Sequence, residues 1–284
     1  MSLPSGFRFS QSSLQDYVDC KRRFQLRYIE KLAWPAIESE PVLQHELFMQ
    51  HGRLFHQLAH QYLIGIPAER LVETIADDQL MTWWERFVEF ATHIDDQSDI
   101  HIQNTQRFPE ITLIAPLLEY QLQAKYDLLL KTEQDTFIIL DWKTNRVHPK
   151  QTQLAKRLQT RVYPFLLVKA GEHFNQGKEI APEAITMVYW FTEYPDRPTI
   201  FKYNQSTFEA DQHYLQSTIA AIQAVSADVF TKTEEERHCR FCNYRSLCDR
   251  GSEAGDFFEQ DLELSTAGEQ DLVIDFEQVA EIEF

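Results

Sequence analysis

Apolar residues recur every three to four positions along much of the chain, which is the period of a helix with one buried side. This period predicts helices over residues 10–30, 43–64, 69–94, 150–170 and 206–230. In the helix over 69–94, the aromatic residues Trp83, Trp84, Phe87 and Phe90 are predicted to form the buried side. A loop over residues 31–42, which holds two prolines, is predicted between the first two helices.

The pattern changes after residue 100, where near-continuous apolar runs replace the helical period. Residues 111–142 predict three consecutive antiparallel strands, ITLIAPLLEYQL, AKYDLLLK and TFIILDWK, with TEQD as the turn between the last two. Further strands are predicted over 184–193 and 199–204. The order of these elements predicts an α/β fold with one central mixed sheet and flanking helices.

The length of 284 residues favours one elaborated domain. We expect it to span residues 1–251, with a helical part at about 32–110, a core at about 111–204 and a C-terminal part at 205–251. Residues 252–284 differ from this body. No Lys or Arg follows Arg250, whereas eleven Asp and Glu residues do, and these account for most of the net charge of −17. An acidic C-terminal tail is therefore expected.

Composition narrows the class of protein. A hydrophobic content of 43% is enough for a substantial core, and no run approaches the roughly 20 apolar residues that a membrane helix needs. No targeting segment is visible, so a cytoplasmic location is expected. Despite the acidic total, Lys and Arg cluster within residues 21–27, 143–161 and 237–250. Such clusters are typical of local contact with a polyanion, although a solvated surface without a partner explains each of them equally well.

Three of the four cysteines, Cys239, Cys242 and Cys248, lie in the run HCRFCNYRSLC, and the fourth, Cys20, lies in SLQDYVDCKRRF. This distribution indicates one four-thiolate site that joins the two ends of the chain. Four thiolates suit zinc or an iron–sulfur cluster, and the spacing does not decide between them. Ordinary reduced thiols are the alternative interpretation, whereas disulfides are not favoured in a chain of this length without a signal peptide.

The segment LDWKT ends an apolar strand with Asp141 and Lys143, which the two-residue period of a strand places on the same side of the sheet. Asp127 lies within the apolar run of the preceding strand. If these strands pair through the TEQD turn, Asp127 and Asp141 lie side by side, and a bound Mg²⁺ or Mn²⁺ would relieve the repulsion between their carboxylates. A simple salt bridge at the strand end is the alternative.

Two helical segments carry further candidates. His56 lies in HGRLFHQLAH one turn after Gly52, which permits close approach to a neighbouring backbone, and His51 and His60 compete with it as possible ligands. Gln159 and Tyr163 are four residues apart in LQTRVYPF and share one face of a helix. Contact with phosphate or sugar and plain surface exposure are both compatible with that pair.

The motifs GRLFH, AKYD, DWKT and QTRVY, in this order, resemble those of RecB-type PD-(D/E)XK nucleases. Cys20 and the three later cysteines resemble the iron–sulfur branch, which includes the AddB helicase-nuclease subunit and CRISPR-associated RecB-like exonucleases that help to process spacers. SLQDYVDCKRRFQLRY is similar to the segment around the first cluster cysteine of that group. The resemblance covers about residues 10–250.

The resemblance implies a restriction-endonuclease-like core with a helical N-terminal insertion and an iron–sulfur staple between the N- and C-terminal regions. The implied ligands of Mg²⁺ or Mn²⁺ are His56, Asp127, Asp141 and the backbone carbonyl of Trp142. Lys143 would complete the catalytic set with the two aspartates, by positioning or activating the attacking water. The four cysteines, Cys20, Cys239, Cys242 and Cys248, would hold a [4Fe–4S] cluster with a structural role.

By the same resemblance, Gln159 and Tyr163 would steer the DNA strand, and Arg22 and Arg23 would line a channel for single-stranded DNA. Ala124 stands where the family often has glycine, Leu128 where it often has a basic residue, and DWKT replaces the commoner DYKT. Glu119 matches a position that is often acidic in the family and is a candidate for an outer role only.

The implied function is that of a metal-dependent DNA nuclease, specifically an exonuclease on single-stranded DNA in repair, recombination or CRISPR spacer processing. A helicase or CRISPR adaptation proteins would be its partners. The alternative is a catalytically silent DNA-binding or scaffold module of a larger repair complex. The intact set of two aspartates and a lysine favours the nuclease, because a pure binder gains little from carboxylates next to phosphate. An iron–sulfur electron carrier is disfavoured by the remote fourth cysteine.

Overall fold

The computed structural model describes residues 3–33, 40–94, 105–224 and 230–251, with the backbone alone over 40–46. The helices are α1 (Gln11–Asp19), α2 (Lys21–Phe24), α3 (Glu40–Leu63), α4 (Ala68–Val72), α5 (Asp78–Thr92), α6 (Gln151–Leu154), α7 (Leu158–Ala170) and α8 (Gln205–Ala224). The strands are β1 (Arg8–Ser10), β2 (Gln106–Leu117), β3 (Tyr120–Lys131), β4 (Phe137–Lys143), β5 (Ile185–Phe191) and β6 (Tyr194–Lys202). The expected acidic tail, residues 252–284, lies outside the described residues.

The described strands form one six-stranded mixed sheet, which confirms the predicted fold class. Strand β2 pairs antiparallel with β3 along nearly the whole length of both strands. Strand β3 also pairs parallel with β1 and antiparallel with β4. Strand β4 pairs parallel with β5, and β5 pairs antiparallel with β6. Because β4 and β5 are parallel, the connection between them has to cross over the sheet, and it contains α6 and α7.

Helices cover both faces of the sheet and enclose two hydrophobic clusters. The first cluster contains buried residues of α1, α7 and α8, such as Leu14, Val162 and Ile219. The second contains residues of α3, α4 and α5, among them Phe55 and Phe87. The aromatic residues predicted to form the buried side of α5 all belong to this second cluster. The sheet is therefore the middle of three layers, and every residue of β4 is buried between the outer two.

Several element boundaries differ from the prediction. The first long strand begins at Gln106 and ends at a turn through Leu118 and Glu119, whereas the apolar run placed its end at residue 122. Leu118 takes the left-handed conformation with φ 56°, which is unusual for leucine, so the sequence carries no turn signal there. Because of this two-residue turn, Glu119 lies outside the core. The Glu119 side chain accepts a hydrogen bond from Gln223 of α8 at 3.3 Å.

Three of the predicted helices are interrupted, one of them the helix over 150–170, which is divided into α6 and α7. The helix predicted over 10–30 begins after Ser10, whose hydroxyl accepts from the backbone N–H of Ser13, and it breaks at Cys20, which has an extended backbone. The helix predicted over 69–94 is divided into α4 and α5. The short strand β1 was not predicted, because three residues are too few to show a period.

Among the described helices, none combines the length and the apolar character needed to cross a bilayer.

The layered packing predicts that the two sides of α3 differ in their tolerance of substitution. Leu58 is 6% exposed within the second cluster, whereas Leu54 on the same helix is 39% exposed. We expect Leu58→Ala to lower the free energy of unfolding by about 2–5 kcal/mol, because it leaves a cavity. Leu54→Ala is the matched control and should change it by about 0.5 kcal/mol or less. Urea titrations followed by circular dichroism measure both values, and equal losses would contradict this packing.

Candidate active site

The two edges of β3 are paired differently. Strand β2 follows one edge from end to end, so β1 and β4 share the other. On that second edge, β1 pairs with residues 121–123 and β4 with residues 128–131. Residues 124–127 therefore face an opening between β1 and β4, and Asp127 is the last residue before the ladder with β4 begins.

The strands are also distorted at Asp127. Before it, Ala124 and Tyr126 belong to the first hydrophobic cluster, but after it Leu128 and Leu130 belong to the second. The regular alternation of side chains therefore changes phase at this residue. In the register of β2 and β3, Asp127 lies opposite Glu110, which has a left-handed φ of 52°. Both strands bend at the same level, and the carboxylate of Asp127 is placed at the opening.

Asp127 is held from two directions. Its Oδ1 lies 3.2 Å from Nδ1 of His56, and its Oδ2 accepts a 2.8 Å hydrogen bond from the backbone N–H of Trp142. Burial alone would raise the pKa of Asp127, but the charge and hydrogen bond of His56, the N–H of Trp142 and the charge of Lys143 together lower it. The ionised carboxylate is therefore the favoured form at neutral pH.

The ladder of β3 and β4 ends with the pair of Leu128 and Leu140. Asp127 and Asp141 would be the next pair if it continued. Oδ1 of Asp141 accepts a 2.5 Å hydrogen bond from Nε2 of Gln159, and Oδ2 of Asp141 lies 2.8 Å from Nζ of Lys143. Both side chains of this ion pair are only 3% exposed. The structure thus brings Asp127, Asp141 and Lys143 together at one end of two neighbouring strands.

Helix α3 supplies the third side of this site. His56 faces Asp127, whereas His51 lies 3.6 Å from Asp77, which caps α5, so the two histidines have different partners. A Cβ atom at Gly52 would lie 3.3 Å from Oγ1 of Thr144. The absence of a side chain at Gly52 therefore lets α3 approach the end of β4, although the contact is with a side chain and not with backbone.

Gln159 and Tyr163 lie in α7 and are both buried. Gln159 binds Asp141 directly, a contact that the helical spacing alone does not reveal. The ring of Tyr163 packs against that of Tyr126 with centroids 4.8 Å apart, and its carbonyl accepts from the Tyr126 hydroxyl at 2.7 Å. The surface interpretation of this pair is therefore wrong, while its contact with DNA stays a prediction.

The chemistry of the donors fits a hard divalent cation. Two carboxylates and one imidazole meet here, and oxygen ligands are those that Mg²⁺ and Mn²⁺ prefer. Among the described residues, however, no group of three or more His, Cys, Asp and Glu side chains has the arrangement of a preformed metal site. Each of the four carboxylate oxygens makes a contact with the protein, and one carboxylate oxygen can accept more than one contact.

The four cysteines meet around one cavity. Cys20 comes from the break between α1 and α2, and Cys239, Cys242 and Cys248 come from the C-terminal described segment. The N–H of Arg22 donates to the carbonyl of Thr231 at 3.1 Å, which joins the two segments through their backbones. The other residues that line the cavity include four basic side chains and His238; the set is Arg23, Leu26, Lys232, Thr233, His238, Tyr244, Arg245 and Arg250.

All four thiols are free and half-buried. Burial raises the pKa of Cys242 to about 11, although the charge of Arg23 opposes the effect. Burial also raises the pKa of Cys239 and of Cys248, and the neighbouring thiol of Cys20 adds to the rise in both. These shifts favour the protonated form of Cys239, Cys242 and Cys248, and a metal that binds them would have to displace their protons.

Arg22 and Arg23 occupy different surroundings. Arg22 donates to the side chain of Gln25 at 2.6 Å. Arg23 is more enclosed, with Nε 2.7 Å from Asp16 and Nη2 2.9 Å from Asp19, and it lines the cysteine cavity. Burial opposes the charge of Arg23, but these two carboxylates raise its pKa. Arg23 therefore has a structural partner on each side, and a role in DNA binding stays a prediction for both arginines.

The turn between β5 and β6, which no sequence signal marks, contacts the backbone of Lys143. The N–H of Thr192 donates to the carbonyl of Lys143 at 2.9 Å. Glu193 accepts from Nε1 of Trp83 and from Arg86, both at 2.8 Å, and Arg86 also donates to the carbonyl of Thr192 at 2.7 Å. Helix α5 thereby fixes the turn, and the turn fixes the backbone of Lys143.

The sequence model of the PD-(D/E)XK nuclease superfamily matches residues 8–249 of this chain. No curated protein matches it. Eighteen chains of solved structures match this chain. One of them is SSO0001, which is 10% identical to it, with coverage of 88% of this chain and 89% of that chain and a TM-score of 0.39. Another is a Eubacterium rectale protein named "Putative exonuclease", with 10% identity, coverage of 78% and 85%, and a TM-score of 0.47.

The contact between Gln159 and Asp141 can be tested by removing the amide donor. Gln159→Leu removes the donor and leaves a buried carboxylate oxygen with one hydrogen bond fewer. We expect the free energy of unfolding to fall by about 1–3 kcal/mol and the affinity for Mn²⁺ to weaken. Gln205→Leu, an exposed change at the start of α8, is the control for each measurement. Calorimetry and urea titration measure the two quantities, and a variant equal to wild type in both would show that the contact is unimportant.

Proposed function

Since the chain belongs to the PD-(D/E)XK nuclease superfamily, whose members are generally metal-dependent nucleases, we propose that it is a metal-dependent deoxyribonuclease. The observation that carries this proposal is the meeting of Asp127, Asp141 and Lys143 at the end of β4. A DNA-binding scaffold would place two carboxylates beside phosphate with nothing to offset their repulsion. A hydrolase uses the same groups.

In this mechanism, Asp127, Asp141 and His56 would hold the divalent cation, with the Trp142 carbonyl as a further ligand. A bound Mg²⁺ or Mn²⁺ supplies Lewis-acid stabilisation of the phosphate and lowers the pKa of a water molecule. The backbone N–H of Trp142 orients Asp127 and helps to lower its pKa, and the side chain of Gln159 orients Asp141. Nζ of Lys143 stays beside Asp141, where it positions the attacking water and balances the negative charge that develops on the phosphate.

We infer that the cysteine cavity holds a [4Fe–4S] cluster, which would place the chain in the RecB-like iron–sulfur branch. The support is the convergence of four thiols from distant parts of the chain on one cavity. The basic side chains of Arg23, Lys232 and Arg250 around that cavity would offset the negative charge of a thiolate-bound group. Zinc is the other group that four thiolates suit.

For the substrate, we propose the exonucleolytic degradation of single-stranded DNA in repair, recombination or CRISPR spacer processing, together with a helicase or CRISPR adaptation proteins. The support is the order of the four motifs and of the cysteines along the chain. Gln159, Tyr163, Arg22 and Arg23 remain the proposed DNA contacts of this reaction.

The catalytic assignment predicts that Asp141→Asn and Lys143→Ala each lower cleavage by a factor of about 10³ or more, because each removes a group that acts on the transition state. End-labelled single strands with Mn²⁺, resolved on a gel, report both cleavage and its polarity. Asp135→Asn and Lys178→Ala are exposed controls and should cleave like wild type. Retention of wild-type activity by either of the first two variants would refute the assignment.

The cluster assignment predicts that Cys242→Ser loses the brown colour of the wild-type protein purified without air, and also loses thermal stability. Iron and sulfide analysis with an absorption spectrum measures the first effect, and a thermal melt measures the second. A colourless wild-type protein that contains zinc would overturn the cluster but leave the nuclease proposal intact.

A further inference from the structure

Helix α7 begins without a cap from its own chain neighbours. The first N–H groups of any helix lack partners within the helix, and the side chain of the N-cap residue, Arg157, makes no capping hydrogen bond here. The N–H of Leu158 instead donates to Oε1 of Gln15 at 3.1 Å. Gln15 belongs to α1, so a residue of the N-terminal region caps the helix that carries Gln159.

The amide of Gln15 makes a second contact with its other end. Its Nε2 donates to Oδ1 of Asp19 at 2.8 Å, and Oδ2 of the same carboxylate accepts from Arg23 at 2.9 Å. Arg23 lines the cysteine cavity, and Asp19 directly precedes Cys20 in the chain. A continuous series of hydrogen bonds therefore leads from the wall of this cavity to the first residue of α7.

The series continues on the other side of Leu158. The next residue, Gln159, donates to Oδ1 of Asp141 at 2.5 Å, and Asp141 is paired with Lys143. The first turn of α7 thus has one hydrogen bond to α1 and one to the catalytic carboxylate. Any shift of this turn along its axis would change the second contact directly.

We propose that Gln15 is a positioning residue that couples the cysteine cavity to the catalytic carboxylate of Asp141. The inference rests on the metal site proposed above, because its effect is exerted on that site. Gln15 touches neither substrate nor cation. It fixes the start of α7, and Gln159 carries that position to Asp141.

The packing of α1 on α7 explains why a single amide has this role. Leu14 and Tyr17 of α1 lie in the same hydrophobic cluster as Leu158 and Val162 of α7. Apolar contacts hold the two helices together, but they are non-directional and resist sliding poorly. The hydrogen bond of Gln15 is directional and defines the register between the helices.

Two substitutions at residue 15 separate its two contacts. Gln15→Met keeps the length of the side chain but removes both hydrogen bonds. Gln15→Glu keeps an acceptor for the Leu158 N–H, and its charge is favourable at a helix N-terminus, whereas it can no longer donate to Asp19. Gln205→Met is the control, because Gln205 is an exposed glutamine in the first turn of α8.

The full-length protein as purified is measured by hydrogen–deuterium exchange, by calorimetric titration with Mn²⁺ and by cleavage kinetics. For Gln15→Met we expect faster exchange in the first turn of α7 and a roughly threefold to tenfold weaker Mn²⁺ affinity. Removing a residue that contacts a metal ligand directly lowers metal affinity by about 10–100-fold. Gln15 acts one contact further from the ligand, so its effect should be smaller. The kcat should fall by a similar factor while KM stays within about twofold. Gln205→Met should remain near wild type in exchange and affinity. Gln15→Glu keeps the bond to Leu158 but replaces the donor to Asp19 with a like charge, so it should lie between Gln15→Met and wild type in both.

The link to the cysteine cavity is tested by a double-mutant cycle with Arg23→Lys, scored on Mn²⁺ affinity. The change at Arg23 should weaken Mn²⁺ binding in the wild-type background but have little further effect once Gln15 is Met. Additive effects would overturn the coupling, and unchanged exchange and affinity in Gln15→Met would overturn the positioning role. These readouts do not need cleavage. A wild type that binds Mn²⁺ but cleaves no DNA would refute the nuclease and leave this inference standing.

Discussion

The site depends on one hydrogen bond, the donation from the backbone N–H of Trp142 to the carboxylate of Asp127 at 2.8 Å. In a regular ladder, a backbone carbonyl of β3 would accept from β4, and the two strands would stay closed. Here the side chain of Asp127 is the acceptor instead. The backbones of β3 and β4 therefore separate at this residue but stay joined through this hydrogen bond. The bond also puts Asp127 beside Asp141 and helps to keep it ionised. The positions of Lys143, His56 and Gln159 have functional meaning only around this pair.

Much of the site follows from local periodicity. The two-residue period of a strand predicts Asp141 and Lys143 on one side, and the TEQD turn predicts Asp127 next to them. The helical spacing likewise predicts which aromatic residues of α5 are buried, and the cysteine spacing predicts that Cys20 meets the C-terminal trio. These inferences succeed because the relevant residues are neighbours along an element, or because few residues of their type exist.

What the sequence did not reveal depends on contacts between elements or on strained backbone. The turn at Leu118 and the bend at Glu110 both use left-handed residues that are neither Gly nor Asn, so no residue type marks them. The contact of Gln159 with Asp141 depends on how α7 docks on the sheet. Gln15 lies 143 residues before the N–H group it caps. No pattern within one segment carries information of that kind.

The placement of the cysteines has a consequence for biosynthesis. Cys20 leaves the ribosome long before the HCRFC segment, by about 10–40 seconds at 5–20 residues per second. Strands β2 to β6 and the three acidic and basic groups of the proposed reaction are translated within that interval. The enclosure around the thiols cannot close until the last of them emerges. A nascent chain therefore passes through a stage in which the residues of the proposed active site exist but its two ends are not yet joined.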